Sequence, residues 1–342
     1  RLDVDTLTTE GTPTPVLDGI VTDPLAGVAA IAVSANGSLA AGHGQPLLGR
    51  REMVVYDRNG ESEPLSSDLA PYQAAALSPD GSTLAVDIDA ANAAIWLIDL
   101  ERDIQTRLTT RWSHNVPVWS PDGEYLISST SSGGTYQIYR HHLATGSSEI
   151  IHQSTEEQFF VTDWSIQGDL VVNVIPIGQG YDIWRMPADN PSAVEPLVDG
   201  PAAETNAKFS PDGRWVAFMS DESGREEIYI LPSSGKGAKM RVSGNGGSAP
   251  FWSRSGDEVF YFDGVSVMAA GIESGERLRI GRPEPLFQPK RPIYNDGLAT
   301  FDATPDGRII LPEFVDDRTA ALSDFVFTRH WIDELERRLA PQ

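Results

Sequence analysis

The sequence of 342 residues contains no cysteine. Disulfide bonds, thiolate metal ligands and cysteine nucleophiles are therefore excluded. Its apolar runs are short, and none approaches the roughly 18 residues that a membrane-spanning helix requires. The first residue is Arg1 and no signal peptide follows it, so we expect a mature or excised chain whose targeting segment lies upstream.

Basic residues are scarce. There are 26 Lys and Arg against 49 Asp and Glu, which gives a formal net charge of −23. A surface this acidic repels phosphate backbones and anionic lipids, so we predict neither nucleic-acid binding nor membrane insertion by this chain. The same charge favours a cationic partner. Hydrophobic residues make up 40% of the chain, which is ordinary globular usage and argues against disorder as the main state.

A short turn motif recurs along the chain. The string Ser-Pro-Asp-Gly occurs at Ser78–Gly81, Ser120–Gly123 and Ser210–Gly213. Four degenerate copies begin at Ser34, Ser165, Ser253 and Thr304. The seven glycines recur every 42 to 51 residues, a period typical of one four-stranded propeller blade.

The residues around each copy predict four strands per repeat. An apolar residue precedes the motif serine or threonine, and a second apolar run follows the glycine, which is the pattern of a β-hairpin. A third run carries a Tyr or Trp, as in Ile95–Leu97 and Ile228–Ile230, and a weaker fourth run ends the unit. Tandem units of this kind predict a β-propeller.

We therefore predict an all-β fold: a seven-bladed β-propeller of four-stranded blades in a single domain over 1–342, with six blades as the alternative. Gly11–Leu17 has the same Gly/Pro pattern as Gly281–Phe287. This match predicts that N-terminal strands in 1–19 complete the last blade and so remove open sheet edges. A short C-terminal helix is predicted over 330–340 from the spacing of Trp331, Leu335 and Leu339. The predicted blades are 20–68, 69–110, 111–154, 155–200, 201–244, 245–290, and 291–328 with 1–19.

The repeats resemble those of the TolB-like, WD-like propeller family. The segment Phe209–Tyr229, the run Pro285–Phe287 and the ending His330–Leu335 are similar to the propeller behind bacterial eukaryotic-type Ser/Thr kinase domains. That branch usually has Asn-Trp where this chain has His330-Trp331. The resemblance implies a binding, sensor or scaffold module in the extracytoplasmic part of a membrane-associated bacterial signalling protein. It specifies the fold better than the function, because propellers host many functions.

Loop geometry predicts where a partner binds. The loops that enter the inner strands should surround one mouth of the central channel, and exposed aromatic and polar side chains there are typical interface anchors. We predict non-catalytic binding of a protein, peptide or small ligand at that mouth. The candidate binding residues are Tyr72, Gln73, Arg111, Trp112, His114, Asn115, Phe160, Tyr181, Thr205 and Ser248.

No catalytic residue is predicted. The sequence has no G-x-S-x-G elbow, no H-E-x-x-H, no phosphate-binding loop and no kinase catalytic loop. His141 and His142 are adjacent, so on a strand they point to opposite faces. We predict a non-enzyme without metal or other cofactor. The alternative is a metal-dependent propeller enzyme, a lyase or lactone hydrolase, with its site in the channel.

Two recurrent residue types have structural interpretations. The aspartates of the turn motifs are expected to bond nearby backbone N–H groups rather than calcium. The aromatic residues that precede the motif serine are expected to pack between blades. They are Trp119, Trp164, Phe209 and Trp252.

Overall fold

The structure is a computed structural model, and the chain divides into two compact units. The terminal unit comprises Arg1–Gly49 with Asp316–Gln342, and the ring unit comprises Arg50–Val315. The residues that the structure describes are 2–3, 8–9, 22–23, 28–29, 31–34, 38–44, 51–88, 93–110, 114–132, 134–176, 180–275, 277–291, 293, 301–315, 322–328 and 331.

The terminal unit contains short strands, numbered here along the chain. Strand β1 (Leu2–Asp3) pairs with β2 (Thr8–Thr9), and β3 (Thr22–Asp23) pairs with β4 (Val28–Ala29). A three-stranded antiparallel sheet has two of its strands on either side of the first copy of the turn motif in the sequence. Its strands are β5 (Ile31–Val33), β6 (Leu39–Gly44) and β32 (Leu322–Thr328), with β6 in the centre.

The ring unit begins with β7 (Arg51–Tyr56) and β8 (Ser62–Pro64). Five antiparallel sheets, blades 1 to 5, then follow in chain order. Blade 1 comprises β9 (Tyr72–Leu77), β10 (Thr83–Ile88), β11 (Ala94–Asp99) and β12 (Ile104–Arg107). Blade 2 comprises β13 (His114–Trp119), β14 (Tyr125–Ser132), β15 (Thr135–His142) and β16 (Ser147–Ser154). Blade 3 comprises β17 (Glu157–Trp164), β18 (Asp169–Pro176), β19 (Asp182–Pro187) and β20 (Glu195–Val198), with a 3-10 helix at Pro191–Ala193.

Blades 4 and 5 repeat this order. Blade 4 comprises β21 (Glu204–Phe209), β22 (Trp215–Ser220), β23 (Glu227–Pro232) and β24 (Met240–Arg241). Blade 5 comprises β25 (Ser248–Trp252), β26 (Glu258–Phe262), β27 (Val267–Ser274), β28 (Leu278–Ile280) and β29 (Glu284–Phe287). Both β28 and β29 pair with β27, at different parts of that strand.

The motif glycines make the first turn of each blade. Across the ring unit these six glycines have φ values between 68° and 91°, a region that side chains with a Cβ rarely adopt. The motif serine closes the turn: in blade 1, the Ser78 N–H donates to the Thr83 carbonyl and Ser78 Oγ accepts from the Thr83 N–H. The predicted hairpins are therefore confirmed in the ring unit.

The last two strands of the ring unit close the ring. Strand β31 (Ile309–Phe314) pairs with β30 (Asp302–Ala303) on one side and with β7 on the other, which gives blade 6 in the order β30-β31-β7-β8. The innermost strands of successive blades contact one another, and β30 contacts both β25 and β9. The described ring unit is thus a closed ring of six blades. The predicted alternative of six blades describes this unit, and the prediction of seven blades is not confirmed.

The closing partner differs from the predicted one. Strand β31 is buried along its whole length and pairs with β7 over six residues, from Ile309 opposite Tyr56 to Phe314 opposite Arg51. Strand β7 suits this place because Met53–Tyr56 are buried and hydrophobic and every residue of the strand supplies a backbone N–H. The segment 1–19 carries Pro13 and Pro15, which lack that donor. Its described residues pair with each other, in β1 and β2.

Apolar side chains pack between neighbouring blades around the ring. Met53 and Ile310 of blade 6 share a cluster with Leu84 of blade 1, and Val54 shares another with Phe260 of blade 5. Trp331 is buried, but the rest of the predicted helix 330–340 lies outside the described residues. None of the described residues forms a helix of the length and hydrophobicity needed to cross a membrane.

Candidate binding site at the turn end of the channel

A cavity of about 310 Å³ occupies the channel where the inner strands reach their turns. Every blade of the ring contributes to its wall, because the wall consists of the last residues of the inner strands and the first residues of the turns. Four charged side chains lie in this wall, and they are Asp163, Lys208, Arg254 and Asp302. A ligand that enters here is therefore in contact with the whole ring.

Three of the charged residues hold the same position in their blades. Asp163, Lys208 and Asp302 each precede the motif serine or threonine by two residues. The remaining blades 1, 2 and 5 have Ala76, Val118 and Phe251 there.

Asp163 and Lys208 lie on neighbouring blades 3 and 4. Asp163 Oδ2 accepts from the Phe209 N–H at 2.7 Å, and Lys208 Nζ donates to the Thr162 carbonyl at 2.6 Å. Burial raises the pKa of the Asp163 carboxyl above its usual range, while the charge of Lys208 and backbone N–H donors oppose that rise. Each side chain thus bonds the main chain of the other's blade.

Arg254 and Asp302 connect blade 5, blade 6 and blade 1. Arg254 Nε donates to the Ala303 carbonyl at 2.9 Å, and its Nη2 donates to the Leu77 carbonyl at 3.2 Å and to Asp302 Oδ2 at 3.2 Å. Asp302 Oδ2 also accepts from the Leu77 N–H at 2.8 Å. The pair fixes the wall of the cavity where the ring closes.

Two indoles in the wall are bonded across blade boundaries. Trp119 Nε1 donates to the Ala76 carbonyl at 2.9 Å, and Trp252 Nε1 donates to the Lys208 carbonyl at 3.0 Å. Packing of these aromatic residues between blades is thereby confirmed. Both residues also belong to the lining of the cavity.

The turns around the mouth present exposed residues. The second residue of each turn is exposed, and five of the six are apolar. These residues are Pro79, Pro121, Ile166, Pro211 and Pro305, with Arg254 in the sixth place. The next residue along the chain is an aspartate in four turns. This acidic ring consists of Asp80, Asp122, Asp212 and Asp306.

The acidic ring is held in its ionised form. Ser120 Oγ donates to Asp122 Oδ1 at 2.5 Å, and the Glu124 N–H donates to the same oxygen at 3.0 Å. These bonds lower the pKa of Asp122, and equivalent bonds lower the pKa of Asp80 and Asp306. The expectation that the turn aspartates bond local groups is confirmed. Each keeps its charge at neutral pH. Asp212 and Asp306 form ion pairs with Arg214 and Arg308, so Asp80 and Asp122 are the two whose charge attracts cations.

No family model matches the sequence. Among curated proteins, an uncharacterised protein of Agrobacterium fabrum is 27% identical over 198 residues, which cover 56% of this chain and 65% of that protein. The Tol-Pal system protein TolB of Bordetella pertussis is 30% identical over 125 residues, which cover 36% of this chain and 28% of that protein. The chain therefore spans less than two thirds of the length of either relative.

Solved structures extend this similarity to most of the chain. A putative TolB from Agrobacterium tumefaciens superposes with a TM-score of 0.63 at 20% identity, covering 79% of this chain and 99% of that structure. The fold is that of a TolB-like β-propeller. TolB from Acinetobacter baumannii also matches, with a TM-score of 0.52 at 16% identity over 83% of this chain and 78% of that structure. The predicted TolB-like resemblance is confirmed at the level of fold, and the link to kinase-associated propellers stays a prediction.

The TolB-like fold alone does not decide between binding and catalysis. An oligogalacturonate lyase from Vibrio parahaemolyticus matches with a TM-score of 0.51 at 12% identity, covering 83% of this chain and 96% of that structure. At such low identity the likeness concerns the fold only, and one fold hosts many functions. The residues of the site must carry the functional argument.

The predicted binding residues of this TolB-like propeller lie elsewhere. None of those within the described residues lines the cavity, and all of these except Tyr181 lie toward the other end of the inner strands. Tyr72, Gln73 and Thr205 are buried, and Asn115, Phe160 and Ser248 are half-buried. Tyr181 is 38% exposed. Arg111 and Trp112 lie outside the described residues, as does the side chain of His114. Binding at that end stays a prediction.

The sequence did contain a signal for the charged residues of the cavity. Each of Asp163, Lys208 and Asp302 interrupts an otherwise apolar or small-residue run directly before a turn motif. A comparison of the position two residues before the motif serine or threonine therefore shows which blades carry a charged residue there. Arg254 is likewise the one charged residue at a position that is proline in four other turns.

Proposed function

We propose that this chain is a non-catalytic binding propeller that recognises a protein or peptide at the turn end of its channel. The observation that carries the proposal is the arrangement of the mouth, where five of the six turns present an exposed apolar residue and four present an ionised aspartate next to it. Buried apolar contacts surrounded by a polar rim are the usual anatomy of a protein interface.

The same arrangement defines the partner. An apolar or aromatic side chain of the partner enters the cavity, whose lining includes Trp119 and Trp252. Basic residues beside it face Asp80 and Asp122, since Asp212 and Asp306 are already paired with arginines. The net charge of −23 favours association with such a cationic partner through long-range attraction.

The charged residues of the wall already serve structural roles. Arg254 bonds two carbonyl groups and Asp302, and Lys208 bonds a carbonyl group. In the part of the chain that the structure describes, no three His, Cys, Asp or Glu residues are grouped as metal ligands would be. Metal analysis of the purified protein tests the alternative of a metal-dependent enzyme, because a stoichiometric metal would favour it.

The proposal includes a cellular context. The sequence resemblance implies the extracytoplasmic part of a larger bacterial signalling protein, and a relative matched by sequence is a protein of the Tol-Pal system. A binding module outside the cytoplasm agrees with both. Fractionation of cells that express the parent protein tests this location.

Two labelled peptides test the binding chemistry. We expect Lys-Lys-Trp-Lys-Lys to bind in fluorescence anisotropy titrations, with an affinity that falls as salt rises, and Glu-Glu-Trp-Glu-Glu not to bind. Ile166→Ser removes the most exposed apolar residue of the mouth, at 67% exposure, and should weaken binding several-fold. Val265→Ser is the matched control, because Val265 is 61% exposed and lies away from the mouth turns, in the turn between β26 and β27 of blade 5.

Three results would contradict the proposal. They are equal binding of the two peptides, unchanged binding by Ile166→Ser, and equal losses in Ile166→Ser and Val265→Ser. A loss caused by Tyr181→Ala instead would place the site at the end of the channel that the loop geometry predicts.

A further inference from the structure

The outer edge of blade 2 differs from every other outer edge that the structure describes in the ring unit. Strand β16 has eight residues, whereas the other outer strands have two to four. The others also carry a residue that discourages strand addition. Pro64, Pro196 and Pro285 lie in β8, β20 and β29, and Arg107, Arg241 and Arg279 lie in β12, β24 and β28. Strand β16 has no proline, lysine or arginine.

This edge is exposed and nearly uncharged. Ser147, Ser148, Glu149 and Ile150 are exposed in succession, with Ile150 at 44%. Within the described residues β16 pairs only with β15. The 3-10 helix of blade 3 approaches β16 without covering these four residues. A long edge with free backbone donors and acceptors is a template for another strand.

The side chains of β16 complement one another in antiparallel order. Glu149 lies opposite Arg140 of β15, and His152 lies opposite Ile138. Arg140 and Ile138 are two residues apart in β15 and share a face of the sheet. The bulge at Ile151 therefore puts Glu149 and His152 on that same face. Two β16 strands related by a two-fold axis then place Glu149 of one against His152 of the other. The same register sets Ser148 against Gln153 and Ser147 against Ser154, with isoleucines at the centre.

The polar atoms needed for this contact are available. Arg140 donates with Nε and Nη2 to Oε1 of Glu149, at 2.9 and 2.6 Å. Among the described residues no donor bonds the other oxygen, Oε2, and no group bonds a ring nitrogen of His152. Across the two-fold axis His152 donates to that oxygen.

We infer that β16 binds β16 of a second copy of this chain, which joins two blades into one continuous antiparallel sheet. The occupant is a second copy because the edge is complementary to itself in hydrogen-bond donors and acceptors and in side-chain size. The contact involves eight residues on each side, whereas a stable interface buries roughly 1,200 Å² or more and involves about 20 to 30 residues on each side. The dimer is therefore weak and forms at high protein concentration.

Sedimentation over a range of protein concentrations tests this inference. We expect the unmodified chain to shift from monomer to dimer as the concentration rises. Ile150→Lys places like charges at the centre of the joined sheet and should weaken dimerisation at least tenfold. Ile104→Lys in β12 is the matched control, because Ile104 is 55% exposed on the outer strand of blade 1, and it should dimerise as the unmodified chain does.

Engineered disulfides test the register, and the absence of native cysteine makes the result easy to interpret. The double variant Ser148→Cys/Gln153→Cys should form covalent dimers on oxidation, because these positions face each other. Ser147→Cys/Gln153→Cys puts the thiols on opposite faces and should cross-link much less. A chain that stays monomeric at every concentration, equal effects of both lysine variants, or equal cross-linking of both cysteine variants would overturn the inference.

Discussion

Asp302 Oδ2 lies 2.8 Å from the backbone nitrogen of Leu77 and accepts its hydrogen, although 225 residues separate the two in sequence. This bond joins blade 6 to blade 1, where the ring closes. Arg254 of blade 5 strengthens the same junction by donating to the Leu77 carbonyl and to Asp302. Closure of the inner ring thus depends on two side chains that also form the wall of the cavity.

Arg254→Ala should destabilise the ring unit by about 2 kcal/mol, because it removes charge-assisted bonds to two carbonyl groups and a carboxylate. The midpoint of urea unfolding measures this loss. Arg58→Ala is the control: Arg58 bonds both oxygens of Glu258 across blades 6 and 5 but is about half exposed, so its removal should cost less than about 1 kcal/mol. Equal losses in the two variants would show that the Arg254 bonds have no special role at the junction.

Glu204→Gln should stabilise the protein at neutral pH. Burial is the main cause that raises the pKa of Glu204, and the charge of Asp182 adds to it while Lys239 opposes it. When the pKa of a carboxyl is higher in the folded protein than in the unfolded chain, the group contributes stability at pH values below its unfolded pKa. This stability is lost as the pH rises through the pKa of the folded protein. The gain from glutamine should therefore be present at pH 7 and absent at about pH 4. Urea unfolding at the two pH values measures it, and a gain that does not change with pH would refute the titration of Glu204 as its cause.

Gly123→Ala should destabilise the protein by about 1 kcal/mol through backbone conformation alone. Gly123 has a φ of 74°, and an added Cβ would meet only Pro79 at 3.8 Å, which is an ordinary contact. Gly271→Ala is the control, because its φ is not in the left-handed region and an added Cβ would meet nothing within 4 Å. Thermal unfolding compares the two. Equal melting temperatures would mean that the turn tolerates alanine.

The sequence predicts the blades well because their information is local. The motif glycines, the apolar runs beside them and the tyrosine or tryptophan of the third strand all act within about 40 residues of one another. Strand pairings such as Leu84 opposite Leu77 follow directly from the turn that connects the two strands.

Closure and site geometry depend on information that the pattern does not contain. Gly11–Leu17 and Gly281–Phe287 are similar in composition, yet β31 pairs with β7 because register over six buried residues outweighs that similarity. Val116 and Asn206 have positive φ values at bulges in their inner strands. A bulge changes the direction in which the neighbouring side chains point. The regular alternation of side chains between the two faces of a strand therefore does not predict that Thr205 is buried.

Arg51 and Phe314 face each other across one pair of strands, so the two ends of the ring unit's polypeptide meet within blade 6. Five blades are each encoded by one continuous stretch of sequence, and the sixth is encoded in two halves at opposite ends. A short peptide joining 315 to 51 would make the polypeptide of this unit endless, and a cut between any two of the other blades would then leave all its strand pairs in place. The ring has no intrinsic first blade, so circular permutation should move its starting point without changing the six sheets.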